Sequence, residues 1–467
     1  MSGSALRVRA QRLAPRDAVF VYDETDRHLS HFLAVYFFGA GTEPLDAASI
    51  RRWAQQRLGH APLFTRRLRR TPLELDLPYW VPDPSIRVAD HVVFDRPGAG
   101  TWADAKTRIA ELGAVRMDLT KPPWEIQVLD RITAVPGLGE ATIVVLKLHH
   151  SACDGIATRQ LETKLFGAAP APELDFGGAR TLTSAVRSAG AFAAAPARFA
   201  AGLLRTRAEE TTADDLVAER PATRFNRDIH APLTLDTVTL PMAEVLAAKA
   251  AAPGRTTIND LLLTTVSGAL ATYLAEHDET PAASLAAMVP MSMRAVAHWD
   301  SANQLSQMFV DLHTGLADPV ERLCAIRESA RRAKARAAEP ATLRAESRVD
   351  TAPALLLRAA GWARTLRRFD DATTVALSNT TISNVPRVTD ALAFCDRPLV
   401  RVLGALPTHD GDGLRHLITS QGGELAITFT TNAAMMPDPG HYGELLLGSF
   451  RELGDALAAQ AVPQVRD

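Results

Sequence analysis

Two adjacent histidines, followed by an aspartate and a glycine, stand together in His149-His150-Ser151-Ala152-Cys153-Asp154-Gly155. Imidazole titrates nearer neutrality than any other side chain, so a histidine suits general-base work. The pair follows Thr142-Ile143-Val144-Val145-Leu146-Lys147-Leu148, a β-branched and apolar run that reads as a mostly buried strand. It precedes Ile156 to Phe166, whose apolar residues recur at helical spacing. The histidines thus sit where a strand ends and a loop turns into a helix, a place from which rigid elements present reactive groups. Neighbouring strand residues point to opposite faces. His149 and His150 therefore cannot easily serve one reaction centre: one faces a cavity and the other supports the structure. Asp154 orients the loop by pairing with a cation. Gly155 permits a backbone conformation that other residues resist.

Three other readings fit the same residues. The histidines are hydrogen-bonded core residues, or they join Asp154 in a metal site, or Cys153 or Ser151 is a nucleophile activated by a neighbouring imidazole. Adjacent histidines are poorly spaced for a metal, and no H-E-x-x-H or C-x-x-C cluster accompanies them. Our expectation is no metal.

His-His-x-x-x-Asp-Gly after a strand resembles the signature of the acyltransferase superfamily that includes chloramphenicol acetyltransferase and peptide-synthesis condensation domains. Further segments narrow the resemblance to the bacterial wax ester synthase/diacylglycerol acyltransferase family, and they span nearly the whole chain. Leu13 to Phe20 resembles its L-S-x-x-D-x-x-F opening, and Pro122-Pro123-Trp124-Glu125 its P-L-W-E segment. Asn259-Asp260 resembles its N-D motif, Val289 to Arg294 its V-P-V-S-x-R, and Ser383-Asn384-Val385-Pro386 its S-N-V-P-G. The chain departs from the pattern at Pro123, at Arg387, and at Ala302 of Ala302-Asn303-Gln304-Leu305-Ser306. These departures leave the general base in place and bear on the shape of the substrate pocket.

The resemblance implies roles. His150 is the general base, His149 its neighbour, and Asp154 and Gly155 are mainly structural. Arg67 is the candidate cation for Asp154 by position. Asn259 and Asp260 are supporting residues, with Asn259 either an oxyanion donor or a helix cap. Pro123, Trp124, Ser292, Arg294 and Asn384 are expected along a substrate tunnel. His91 reads as structural.

The chain has 467 residues, enough for two domains. A net charge of -2 gives no support for nucleic-acid binding. Cys153, Cys324 and Cys395 are far apart and odd in number, so no disulfide framework or zinc site is expected and a reducing cytoplasm is the simple inference. No apolar run reaches transmembrane length. The protein is expected to be cytoplasmic, either soluble or peripheral on the inner membrane or a lipid droplet.

Strands are expected at 32–38, 125–130, 142–148, 233–240, 285–289, 304–312, 375–382, 414–419 and 425–431. Helices are expected near 46–58, 103–116, 156–166, 242–251, 256–277, 318–337 and 438–458. The second half loosely echoes the first. The fold class is α/β of the α+β type, and the resemblance implies two pseudo-symmetric chloramphenicol-acetyltransferase-like domains with mixed sheets and a tunnel between them. Residues 1–167 form the N-terminal domain, 168–230 a partly helical connection, and 231–467 the C-terminal domain. Two stretches have the composition of an interfacial helix: the Ala-rich basic segment Leu182 to Arg207, and Leu355 to Arg368. For the second, packing of Trp362 and the leucines on the second domain is the alternative.

The expected function is acyl-CoA-dependent O-acyl transfer onto diacylglycerol or a long-chain alcohol, giving triacylglycerol or wax ester. Acyl-CoA is a substrate, and no cofactor is required. A membrane or lipid-droplet surface is the expected partner, and nucleic acid is not. The alternatives are a carrier-protein-dependent acyltransferase of natural-product assembly and a catalytically inactive lipid-binding homologue.

Overall fold

The computed structural model describes residues 5–39, 41, 44–95, 100–176, 196–197, 199–201, 219–297, 299–370, 375–386 and 391–461. Arg387, and all of Leu182 to Arg207 except 196–197 and 199–201, lie outside them; those described residues of the 168–230 connection are helical.

The apolar runs form two six-stranded sheets. In chain order the strands are β1 (His31–Gly39), β2 (Val92–Asp95), β3 (Trp124–Val135), β4 (Gly139–His149), β5 (Leu233–Pro241), β6 (Ala286–Ser292), β7 (Leu305–Asp311), β8 (Thr380–Pro386), β9 (Ala393–Phe394), β10 (Arg397–Ala405), β11 (Arg415–Gln421) and β12 (Glu424–Asn432). The first sheet has the order β9-β10-β1-β4-β3-β2 and the second β5-β12-β11-β8-β6-β7. Both are mixed: β2 runs parallel to β3, and β8 runs parallel to β6 and β11. The helices are α1 (Pro15–Tyr22), α2 (Ala47–Gln55), α3 (Trp102–Ala114), α4 (Gly155–Phe166), α5 (Met242–Ala251), α6 (Ile258–Glu276), α7 (Pro319–Ala337), α8 (Pro340–Glu346), α9 (Ala354–Thr365) and α10 (Pro439–Ala461).

The continuous apolar run of β4 has a physical reason: both of its faces are covered. Val144, Leu146 and Leu148 pack with Trp53 of α2 and Leu161 and Phe166 of α4. Ile143 and Val145 point the other way, toward Ile109 of α3 and toward Leu235 and Ala426 of the second sheet. Each such side chain contributes on the order of 2 kcal/mol by leaving water. Antiparallel pairing of β4 with β1 sets His149 opposite His31.

The halves interlock. β10 lies late in the chain, yet it pairs with β1 and extends the first sheet. Residues 393–405 of the 231–467 region therefore complete the sheet that carries the histidines. The expected 375–382 strand is split into a short Val375–Ala376 piece and β8.

Candidate active site

β4 ends at His149, and the chain turns through Ser151 and Cys153 into α4. The two rings diverge. His150 lines a cavity of about 510 Å³ between the halves, whereas His149 is fully buried and faces the other way.

His149 Nδ1 accepts from the Ser151 N–H at 3.2 Å and from the Ser151 hydroxyl at 2.7 Å. Its Nε2 lies 3.3 Å from the Glu24 carboxylate, which also accepts from Arg116 Nε at 2.8 Å. Burial alone raises the Glu24 carboxyl, but His149 and Arg116 overcome it and hold the group at about 2. Ser151, His149 and Glu24 have the connectivity of a nucleophile relay. Ser151 and His149 are sealed in the core and do not line the His150 cavity, so a substrate carbonyl in that cavity cannot meet them. Burial pushes the Cys153 thiol up to about 12, which removes it as a thiolate nucleophile.

His150 is clamped. Phe20 of α1 stacks on its ring at 5.1 Å and Phe32 of β1 lies tilted at 4.7 Å. Its N–H donates to Ser30 O at 2.8 Å. Its carbonyl accepts from Asn303 Nδ2 at 2.5 Å. Asp17 fixes that asparagine by accepting from its backbone and side-chain N–H groups and from Ala302 N and Ser301 Oγ. Burial lowers the His150 imidazole to about 4; nearby His149 and Arg415 act in the same direction, while Asp154 and Asn303 oppose it. The ring is neutral at pH 7 and free to accept a proton.

Asp154 is the N-cap of α4 and accepts from Ala157 N at 2.8 Å. It also receives Arg294 Nη2 at 2.8 Å and Gln304 N at 3.1 Å, both from the second half.

Residues 13–262 match the model of the wax ester synthase/diacylglycerol acyltransferase catalytic domain, and residues 301–454 match that of the WS/DGAT C-terminal domain. The chain belongs to the wax ester synthase/diacylglycerol acyltransferase family. It is an O-acyltransferase. A Mycobacterium tuberculosis (H37Rv) protein named as a diacylglycerol O-acyltransferase is 27% identical over 447 residues, covering 92% of this chain and 87% of its own length. The wax ester synthase/diacylglycerol acyltransferase from Marinobacter aquaeolei VT8 has the same fold, with a TM-score of 0.66 and 20% identity over 96% of this chain and 100% of that one. The first condensation domain of the CDA synthetase superposes with a TM-score of 0.56 at 15% identity, covering 97% of each chain.

Not every residue expected at the WS/DGAT site is there. Ser292, Asn384 and Gly155 line the His150 cavity. Gly155 has no left-handed backbone; its need is spatial, because a Cβ would stand 3.2 Å from Val385 Cγ2. Arg67 is not the partner of Asp154: it is exposed on the short Arg66–Arg69 strand, and Arg294, expected along the tunnel, takes that place. Asn259 and Asp260 do not line the cavity. Thr257 is the N-cap of α6, and Asp260 completes a capping box by accepting from Thr257 N and Oγ1 at 2.8 Å. Trp124 is core: its ring stacks on His91 at 4.5 Å, and its Nε1 donates to Phe64 O at 3.1 Å. His91 is structural, with Nδ1 2.7 Å from Trp124 O. Pro123 and Ala302, two of the departures, line a neighbouring cavity of about 780 Å³ that the Asp17–Asn303 bridge helps to wall.

Phe20, Asn303, His409 and Arg415 also line the cavity, although none was expected there from sequence. Phe20 ends the Leu13–Phe20 segment, and Asn303 lies within Ala302–Ser306. His409 and Arg415 carried no local signal. His409 Nε2 meets Leu29 O at 2.9 Å, tying the second half to the first.

Proposed function

We propose that this WS/DGAT-family chain transfers a fatty acyl group from an acyl-CoA thioester to the hydroxyl of diacylglycerol or a long-chain alcohol, with His150 as general base. One observation carries the reading: a neutral imidazole, clamped between two phenylalanines, faces a largely apolar cavity built by both halves. Nδ1 of His150 is buried with no partner among the described residues, which leaves Nε2 to meet the substrate. The acceptor oxygen attacks the thioester carbonyl as Nε2 takes its proton. The tetrahedral intermediate then expels the thiolate, and the imidazolium returns the proton to sulfur. The products are an ester and free CoA. Asn384 lines the cavity and makes no side-chain hydrogen bond to another described residue, so its amide suits the transient oxyanion. Enclosure between the halves holds donor and acceptor in line. The lipid substrates come from a membrane or droplet surface. No helix among the described residues is long and apolar enough to cross a membrane.

A thiol-release assay over acyl donors and hydroxyl acceptors, with products weighed by mass spectrometry, tests this. CoA release that depends on a long-chain alcohol or diacylglycerol is the expected result. Turnover with acyl carrier protein alone would favour natural-product assembly. Lipid binding without release from any donor would mark an inactive homologue.

A further inference from the structure

Helix α9 packs on α1 through Ala354, Leu357 and Gly361, with Gly361 seated against the Tyr22 backbone. Its other side carries apolar residues that stand exposed among the described residues. Leu355, Trp362 and Leu366 fall on one stripe, and Trp362 is 64% exposed. Packing of Trp362 on the second domain, the alternative weighed from sequence, does not occur. Beside the helix lies the turn Pro72–Glu74, joined to it by Arg358 and Glu74 at 3.2 Å. That turn holds up Leu73, 83% exposed, on a backbone with φ 53°. Leucine pays a steric penalty for a left-handed conformation, and such strain is retained where the surroundings impose it. A strained, fully presented leucine on the turn that Arg358 ties to the helix, and an exposed tryptophan on the helix itself, make an apolar ledge.

The acidic groups near the ledge are already paired, Asp370 with His230 and Asp410 with Arg27. Glu74 is neutralised by Arg70 and Arg358. Arg367 and Arg368 follow the helix and make no ion pair with a described acidic group. Arg364 is different: it turns inward to Asp23 at 2.8 Å, and both line the cavity that holds His150. One turn of the helix thus faces the ledge and the next reaches the reaction chamber.

We propose that α9 and the Pro72–Leu75 turn are a docking surface for an anionic lipid bilayer, set at the mouth of the His150 cavity. The reading rests on acyl transfer to lipid acceptors, since that is what makes the adjacency useful. Trp362, Leu355, Leu366 and Leu73 enter the headgroup region, and Arg367 and Arg368 meet lipid phosphates. A lipid acceptor then passes along Arg364 to His150 without crossing water.

The test is flotation of the full chain with phosphatidylcholine vesicles, with and without phosphatidylglycerol, at low and high salt. Binding is expected only with phosphatidylglycerol and is expected to weaken as salt rises. The double change Arg367→Gln/Arg368→Gln is expected to weaken binding roughly twenty-five-fold, about fivefold per arginine. Leu73→Ser/Trp362→Ser is expected to cost roughly tenfold or more. All four positions are exposed, so the melting temperature and turnover of a water-soluble short-chain alcohol are expected to stay unchanged. Equal binding by the parent and both variants overturns the surface, as does failure of the parent to bind at low salt. A parent dimer that the Leu73/Trp362 change converts to a monomer, with vesicle binding intact, assigns the ledge to a second copy and also overturns it. Vesicle binding that behaves as described, with no turnover of any soluble acceptor, leaves the surface standing and defeats the acyl-transfer reading instead.

Discussion

Asp154 and Arg294 meet at 2.8 Å across the junction of the two halves, with the carboxylate fully buried. The same carboxylate caps α4 and accepts from Gln304 N. One side chain thus positions the loop that bears His150 and fastens β7 to it. Removing Arg294 takes the counter-charge from a buried carboxylate, and removing Asp154 strips α4 of its N-cap and the half-buried Arg294 of its partner; each costs roughly 3 kcal/mol. Asp154→Asn and Arg294→Gln are each expected to lower unfolding stability by about that amount and to couple strongly in a double-mutant cycle read by urea denaturation. Arg67→Gln is expected to stay within about 0.5 kcal/mol of the parent. Additive losses for the Asp154–Arg294 pair would dissolve the relationship.

His150→Ala and His149→Ala are expected to separate rate from stability. The first removes the base and is expected to slow turnover by roughly a hundred- to ten-thousand-fold with the fold intact. The second leaves Glu24 and Arg116 without the imidazole between Glu24 and Ser151, so its main effect is a loss of roughly 2–4 kcal/mol of stability. Parallel steady-state kinetics and thermal melts check both. A His150→Ala enzyme with near-parent kcat at pH 7 would exclude general-base catalysis by this ring.

Local pattern made much of this legible, and long-range packing set the limit. The β4–α4 unit was readable because apolar period and motif agreed over one short stretch. β10 was not: Arg397-Pro398-Leu399-Val400-Arg401 and Gly404 look like a loop, yet Arg397 and Arg401 are only 6% exposed. Arg401 is held by Glu424 and Pro136 O, contacts made far away in the chain. Arg294 lies 140 residues from Asp154, and the position at which the superfamily often carries an arginine pointed to Arg67 instead. Asn259-Asp260 matched a family motif, but the Thr257-x-x-Asp260 spacing already described a capping box, and that is what forms. Trp124, expected along the tunnel, packs instead in the core against His91 and Phe64 O.

Acid is expected to destabilise the protein well before its carboxylates protonate in bulk. Burial lowers His28 and His150 to about 4 and His416 to about 3, and it drives His31 and His409 well below their usual range. Below pH 6.5 the unfolded chain takes up protons that these folded imidazoles refuse, so stability falls as pH drops from about 7 toward 4. Glu24, held at about 2, adds to the loss below pH 4.5. Asp23, raised to about 6 by burial, works in the opposite sense between roughly pH 4 and 6; Asp17, also raised by burial, acts in the same direction as Asp23. The imidazoles outnumber them, so urea midpoints are expected to decline steadily from pH 7 to pH 5. A flat profile over that range would show that the buried histidines are protonated in the folded state.

The rate should keep its base over the same range. Desolvation is the largest influence on His150, with the charges of His149 and Arg415 adding to it. A ring lowered to about 4 stays unprotonated at pH 6 and pH 5, so kcat/KM is expected to show an acid limb centred near 4, where free imidazole would place it near 6.5. Unfolding must be separated from titration here, so initial rates are taken in short assays and each pH is checked for reversibility on return to pH 7. Arg415 lines the cavity and pairs with Asp412 at 2.7 Å. Arg415→Gln removes one positive charge that disfavours the imidazolium, and the limb is expected to move upward, toward neutrality. A parent limb already near 6.5, or one that Arg415→Gln leaves in place or moves further down, would mean that a group other than a desolvated His150 sets the acid side of the profile.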